Sequence, residues 1–358
     1  MNFTKTEVNQ EQVIINILYM ITGGTVVVGN FCLISTILLF KYLRSRKELI
    51  MVAAQGFGDF LYGFGFLAGG ARRLYIFLNH LETTKVTPWH CMHAELATFF
   101  YLVGPQAGAL MNLFVSVDRF IAVSFISIYS TLKRKYMITS ISLVYLFALA
   151  SYGVGFGLSY MTPRKNTVYL QCLSTWASTS EYAVYYTGLI TCAEVCGSLL
   201  YLVVMAVLKY RTAVSHQSLQ HAQHKRQAKI TKIVSLVVIS TLLFYVIPWL
   251  LHSTLNALGV KLGKAGFISP LLWVMIQSNN CFNVIIYFWK LHEVRAAFVN
   301  LVTCKFVNIK VEVMPFATTV GAKDTTGFGH SQITAVKIND TKQYFKGSTA
   351  GIPTVYVS

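Results

Sequence analysis

Seven long apolar stretches alternate with polar connections along the chain, at residues 13–40, 49–71, 92–124, 137–160, 182–208, 230–256 and 266–289. A hydrocarbon core of about 30 Å takes roughly 20 helical residues to cross, so each stretch is long enough to span a bilayer as a helix. The pattern predicts an all-α fold, an integral membrane bundle of seven transmembrane helices occupying residues 13–290. Residues 1–12 are polar and precede the first span. After the last one, Leu291, Val294, Ala297, Phe298 and Leu301 recur at helical spacing, with Lys290, His292, Glu293 and Arg295 on the other side. That pattern predicts a short amphipathic helix over 291–303, lying in the membrane interface. Residues 304–358 are polar, carry many Ser and Thr and show no helical apolar period, so they are expected to be largely disordered.

Composition agrees with this reading. The 358 residues are 54% hydrophobic and only 12% charged, with a mean hydropathy of +0.54, too apolar for an ordinary soluble domain. No cleavable signal peptide is expected, because the first apolar run is too long for an h-region. The net charge is +17. Its basic clusters fall in alternate connections: Lys41, Arg44, Arg46 and Lys47; Lys133, Arg134 and Lys135; then Lys209, Arg211, Lys225, Arg226, Lys229 and Lys232. The positive-inside rule makes those connections cytoplasmic, which puts the N-terminus outside and the tail inside. The charge is thus explained by topology and anionic lipid rather than by nucleic acid, which is not an expected partner.

Outside placement suits the sequon Asn2-Phe3-Thr4 as a glycosylation site, whereas Asn339-Asp340-Thr341 falls inside and is expected to stay unmodified. Seven cysteines show no C-x-x-C pair and no zinc spacing. Cys91 and Cys172 both fall in the oxidising compartment, and a disulfide between them is the best single pairing on offer. Cys304, at the end of the interfacial segment, is a palmitoylation candidate. The glycine-rich stretch from Gly56 to Gly65 superficially resembles a nucleotide loop, but within an apolar helix it reads as close helix packing. Pro105 and Pro248 lie inside spans three and six, and each removes a backbone hydrogen bond.

The chemistry lies in polar residues at membrane depth. Asn30, Asp59, Asn112, Asn279, Asn280 and Asn283 would be expensive facing lipid, so they are expected to face one another. Asn279, Asn283 and Tyr287 share one helix face at four-residue spacing, while Asn112, Ser116 and Arg119 share another. A polar seam through the bundle follows; polar glue between helices is the bland alternative for any single Asn. Asp118 and Arg119 close the third run, and a charged pair at that depth needs a partner or a protein interior.

These residues together resemble the rhodopsin-like G-protein-coupled receptor pattern. It is carried by Asn30 after Gly29, Asp59, Asp118-Arg119-Phe120, Pro248 and Asn283-Val284-Ile285-Ile286-Tyr287, over roughly residues 13–303. The resemblance implies a receptor in the plasma membrane that binds an extracellular small-molecule cue and activates a heterotrimeric G protein, with arrestin at the tail as a further partner. In that reading Arg119 releases Asp118 on activation, with Tyr201 and Tyr287 as partners of the open state. Asp59, Asn279 and Asn283 would then resemble a sodium and water pocket. No cofactor and no catalytic residue is implied. Several positions depart from the pattern. Phe120 replaces a tyrosine, Val284 a proline and Val246 an aromatic toggle; Gly108 replaces a serine of the sodium pocket, and no acid adjoins Ala228. Sodium at Asp59 is left in doubt by these changes. The mixture is similar to divergent nematode serpentine chemoreceptors of the srsx-like class, for which sensory cilia would be a natural location.

By the same resemblance the ligand sits among the outer halves of spans three, five, six and seven. This chain offers Tyr101, Gln106, Tyr185, Glu194, His252, Asn256 and Gln277 there. Tyr101 stands where amine receptors carry an aspartate, and Glu194 could hold a cationic ligand, act as a protonated donor, or bond to a neighbouring helix. Cys192 and Cys196 share a face that Glu194 does not, so a metal site is not expected, and His216, His221 and His224 read as solvated.

Competing readings are a peptide receptor, a transporter or channel, a retinal protein and an intramembrane enzyme. No inverted repeat appears, span seven has no mid-membrane lysine between Lys264 and Lys290, and neither H-E-x-x-H nor G-x-S-x-G occurs.

Overall fold

Seven helices long and apolar enough to cross a membrane are present in the computed structural model, which describes residues 5–162, 167–172, 178–214, 235–257 and 268–303. Asn2, Cys304, the three histidines after span five and the segment 304–358 lie outside the described residues. Span one is Lys5–Leu39, span two Lys47–Leu78, span three Leu96–Ser124, span four Arg134–Met161 and span five Ser180–Val214. Span six occupies 235–257, and span seven is Ile268–Lys290. A further helix, His292–Val302, follows it.

Several helices outrun their apolar stretches. Span one begins at Lys5 because Glu7, Gln10, Glu11 and Gln12 are good helix formers; hydropathy marks where a helix meets lipid, not where its hydrogen bonding starts. Span two likewise continues through Arg72 and Arg73 to Leu78. The third apolar run, in contrast, is broken. Pro88–Ala94 forms a separate short helix, and Glu95 adopts an extended conformation before span three starts at Leu96.

Span two packs between spans one and three, span three packs against span five, and span seven returns to span one. In its most apolar window span two is 67% buried and span four only 17%, so span two belongs to the core while span four presents Leu143, Leu146 and Tyr160 outward. Exposed apolar side chains are the expected surface for a bundle solvated by lipid.

Two close approaches set the spacing of the first three spans. A Cβ on Gly63 would meet the Val26 side chain at 2.6 Å, and one on Gly104 would meet the Tyr62 backbone nitrogen at 2.5 Å. The glycine-rich stretch is therefore a packing surface, with no phosphate cradle in view.

At one end of the bundle, β1 (Lys85–Val86) pairs antiparallel with β2 (Val168–Tyr169). Thr87 caps the short helix after β1 by accepting from the His90 amide at 3.2 Å, with Pro88 opening it. Cys91 on this helix is joined to Cys172, whose backbone is in the left-handed region at φ 46°. An ion pair between Arg72 and Glu95 ties the end of span two to the start of span three. Burial pushes the Glu95 carboxyl above the usual range, and Arg72 opposes that shift.

At the opposite end, His292–Val302 buries Val294 and Ala297 against Leu33, Ile37 and Leu43. Arg46 pairs with Glu293 beside this contact. Within span six, Pro248 cannot donate to the carbonyl one turn back, and the preceding residues Leu242–Val246 widen into a π turn.

Because the Gly104 neighbour is backbone, Gly104→Ala should lower stability by about 1–3 kcal/mol through overpacking. A Cβ on Gly153 meets nothing within 4 Å. Gly153→Ala should then be neutral or stabilising by up to about 1 kcal/mol. Thermal unfolding of both variants in detergent checks the pair, and equal effects would contradict the packing.

Candidate functional site: a buried polar core beneath an aromatic cavity

Span three ends in a charged pair sealed from its surroundings. Asp118 and Arg119 are both buried. Arg119 Nη2 donates to Asp118 Oδ2 at 2.5 Å and to the Tyr129 hydroxyl at 3.1 Å, and that hydroxyl donates to the same carboxylate oxygen at 3.3 Å. Tyr129 comes from Ile126–Thr131, the short helix after span three. Lys47 stabilises it from span two, with Nζ 3.4 Å from the ring centroid. Burial pushes the Tyr129 phenol above its usual range, so the hydroxyl keeps its proton and remains a donor. Tyr201 packs nearby with Met51, Val115 and Met137.

Farther along the bundle, the side-chain amide of Asn112 joins three spans. Gln55 Nε2 donates to its Oδ1, while its Nδ2 donates to both oxygens of Glu194 at 3.0 and 3.1 Å. The Tyr287 hydroxyl donates to Gln55 Oε1 at 3.3 Å, which adds span seven. A second arm runs from Asn283 Nδ2 to Asp59 Oδ2 at 3.5 Å. Asn279 holds span six: Ser240 Oγ donates to its Oδ1 at 3.1 Å, and its Nδ2 donates to Thr241 Oγ1 at 3.4 Å. Between the arms lies a cavity of about 20 Å³ whose lining includes Asp59, Asn112, Glu194, Asn279 and Asn280. Asn30 stands apart from the seam, for its Nδ2 donates to the Val26 carbonyl of its own helix at 3.0 Å.

Hard cations take oxygen ligands. Beside Asp59, Gly108 supplies no side-chain oxygen and Asn283 turns its amide nitrogen to the carboxylate. Among the described residues no cluster of His, Cys, Asp and Glu could hold a metal.

Toward the disulfide end the bundle encloses a cavity of about 210 Å³. Tyr101 and His252 line it, joined by Tyr62, Arg73, Trp249 and Trp273. Trp249 Nε1 donates to Thr191 Oγ1 at 2.7 Å, and the Tyr186 hydroxyl donates to the Tyr101 carbonyl at 2.7 Å, which fixes the walls. Of the other residues expected in a ligand site, Glu194, Gln106, Tyr185 and Gln277 do not line this cavity. Glu194 is drawn into the core by Asn112. Gln106 is buried toward Tyr182, at 3.4 Å from its hydroxyl. Tyr185 is exposed, and Gln277 is fully buried away from the cavity. Asn256 sits in the last turn of span six, where its side chain lies outside the described residues.

Four participants escaped sequence reasoning. Gln55 precedes Asp59 by four residues and so shares its helix face, a signal that was available. Tyr129 lies in a connection, Arg73 lies beyond the end of an apolar run, and Trp249 looks like any other apolar residue.

Because Gln55 and Asn112 share one hydrogen bond in a buried polar core, their alanine variants should be non-additive. A double-mutant cycle read by thermal unfolding should give a coupling of at least about 0.5 kcal/mol. Simple additivity would mean the bond contributes nothing.

A family model described as serpentine type 7TM GPCR chemoreceptor Srsx matches residues 24–302, more than three quarters of the chain. No curated protein matches it. The matched region takes in all of the described bundle but about the first five turns of span one, together with the Asp118-Arg119 pair, the polar core and the aromatic cavity apart from Tyr19, and the chain belongs to the Srsx family of serpentine seven-transmembrane chemoreceptors.

Proposed function

We propose that this chemoreceptor binds a small extracellular molecule in the aromatic cavity and activates a heterotrimeric G protein through Arg119. The disulfide end then faces outside and the basic connections face the cytoplasm, in the plasma membrane and, for a sensory cell, in its cilia. The observation that carries the proposal is shared lining: Tyr62, Pro105 and Tyr245 border both the 210 Å³ cavity and the small polar cavity holding Asp59 and Glu194. A ligand that displaces these side chains acts directly on the polar core. From there Asn112, Gln55 and Tyr287 lead toward the Arg119 end of the bundle.

The mechanism is a shift between two arrangements of the bundle. A ligand can act only through its different affinities for them. Span six suits a moving part, since Pro248 and the π turn have already loosened its backbone ladder. Cavity size favours a small molecule over a peptide: 210 Å³ is below the roughly 300–1,000 Å³ of sites that take drug-sized ligands. Asp118 and Tyr129 hold Arg119 in the resting arrangement; release lets it turn toward the G protein, with Tyr201 and Tyr287 as its partners. The basic connections favour anionic headgroups at the cytoplasmic face. Arrestin at the tail completes the expected partners.

Arg119→Ala should retain ligand binding and abolish nucleotide exchange on the G protein in a reconstituted assay; preserved exchange would remove Arg119 from the coupling role. Tyr129→Phe deletes hydrogen bonds that hold Arg119, each worth about 0.5–1.5 kcal/mol. Ligand-independent exchange should then rise by about two- to tenfold. An unchanged basal rate would mean that Tyr129 does not restrain the resting state.

A further inference from the structure

Among the described residues no aspartate or glutamate lines the larger cavity, yet an arginine does. Arg73 sits one residue beyond Arg72, and the two differ sharply in their surroundings. Arg72 pairs with Glu95, whereas among the described residues no carboxylate pairs with Arg73. Its guanidinium carbon lies 5.9 Å from the Tyr19 ring centroid and 5.6 Å from that of Tyr101, and its buried Nε has no hydrogen-bond partner there. The stretches 163–166, 173–177 and 258–267 lie outside the described residues. They contain no Asp or Glu, while they do contain Arg164, Lys165, Lys261 and Lys264.

A guanidinium in a largely apolar cavity loses hydration that two aromatic faces and a hydrogen bond to the Tyr101 side chain only partly restore. What would complete it is a planar anion that accepts two parallel hydrogen bonds, the geometry in which arginine exceeds lysine. Apart from Thr187 and His252 the rest of the lining is apolar or aromatic, with Phe66, Trp249 and Trp273 placed to cover a hydrocarbon or aryl body. One arginine suits a single negative charge; a phosphate dianion would call for more cations than the described walls supply. Glu194, the acid that could have anchored a cationic ligand, is committed to Asn112 and does not reach the cavity.

We propose that the cue is a small organic acid, whose carboxylate binds Arg73 and whose apolar body lies against Trp249 and Trp273. This rests on the reading of the cavity as the ligand site and adds the class of molecule it takes. The test uses the purified full chain in lipid nanodiscs, with direct binding by calorimetry or ligand-observed NMR, so it does not depend on any G protein. Hexanoate, benzoate and phenylacetate are each compared with the corresponding primary amide, wild type against Arg73→Gln and Arg73→Lys.

In the wild type each acid that binds should do so at least tenfold more tightly than its amide. Arg73→Gln should erase that preference without weakening the amides, and Arg73→Lys should retain part of it. The acid-to-amide ratio in the wild-type protein needs no variant, so a variant that fails to fold does not remove the test. Amides that bind as tightly as acids would overturn the inference and leave the small-molecule reading standing. An acid preference that survives in Arg73→Gln would also overturn it. If neither acids nor amides bind, the inference falls, and the assignment of the cavity falls with it.

Discussion

Inside a bilayer a polar side chain has no water to fall back on, so an amide or carboxyl there gains by finding its partner in another helix or in its own backbone. Asn112 shows what that requirement does to the architecture. Its amide oxygen takes a proton donor from span two and its amide nitrogen serves the Glu194 carboxylate of span five. Hydrogen bonds between membrane helices average only about 0.6 kcal/mol and reach roughly 1.7. A few such bonds cannot hold seven helices together by strength. Their effect is selective, because any rotation of span two, three or five that broke the set would leave an acid and two amides unpaired in hydrocarbon. Close packing at Gly63 and Gly104 supplies the cohesion, and the polar set chooses among the packed arrangements.

The same constraint separates a rigid part of the bundle from an adaptable one. Spans one, two and three are locked by backbone contacts too close for any side chain but hydrogen, and the Arg72–Glu95 pair and the Cys91–Cys172 bond fasten one end of them. Span six is built differently: its ladder is interrupted at Pro248, and Asn279 holds it through the hydroxyls of Ser240 and Thr241. Hydroxyl contacts of 3.1 and 3.4 Å can be exchanged at small cost, whereas Gly104 against Tyr62 cannot slide without a clash. Motion is therefore cheapest where the aromatic cavity also lies, between span six and the fixed spans.

Much of this was legible from residue type and spacing. Asp59, Asn112, Asn279 and Asn283 announced themselves as polar residues in apolar helices, and their inward direction followed from cost alone. Glu194 was placed in the ligand site because its depth along span five could be read while its rotational phase could not; phase is decided by Asn112, on a helix remote in sequence. Arg73 was missed for a related reason. An apolar run ends where hydropathy falls, but the helix goes on, and the residues just past the run are those that can curl a charge back over an aromatic cavity. Tyr129 had no local signal, since its value depends on a short helix folding back beneath Asp118.

That fold-back bears on how Arg119 could be released. Asp118 and Tyr129 belong to span three and the helix that follows it directly, so the bonds they make to Arg119 travel with span three and survive any displacement of span six on its own. A competitor for the guanidinium in place would release it from these two partners. In the proposed mechanism Tyr201 and Tyr287 are the hydroxyls that would do so. Tyr287 is bound to Gln55, which is itself bound to Asn112, so releasing that tyrosine means disturbing the set that fixes spans two, three and five. A change at the Glu194 end of this chain of bonds would thus reach Arg119 through the partner that replaces Asp118, with no need for a direct lock between spans three and six.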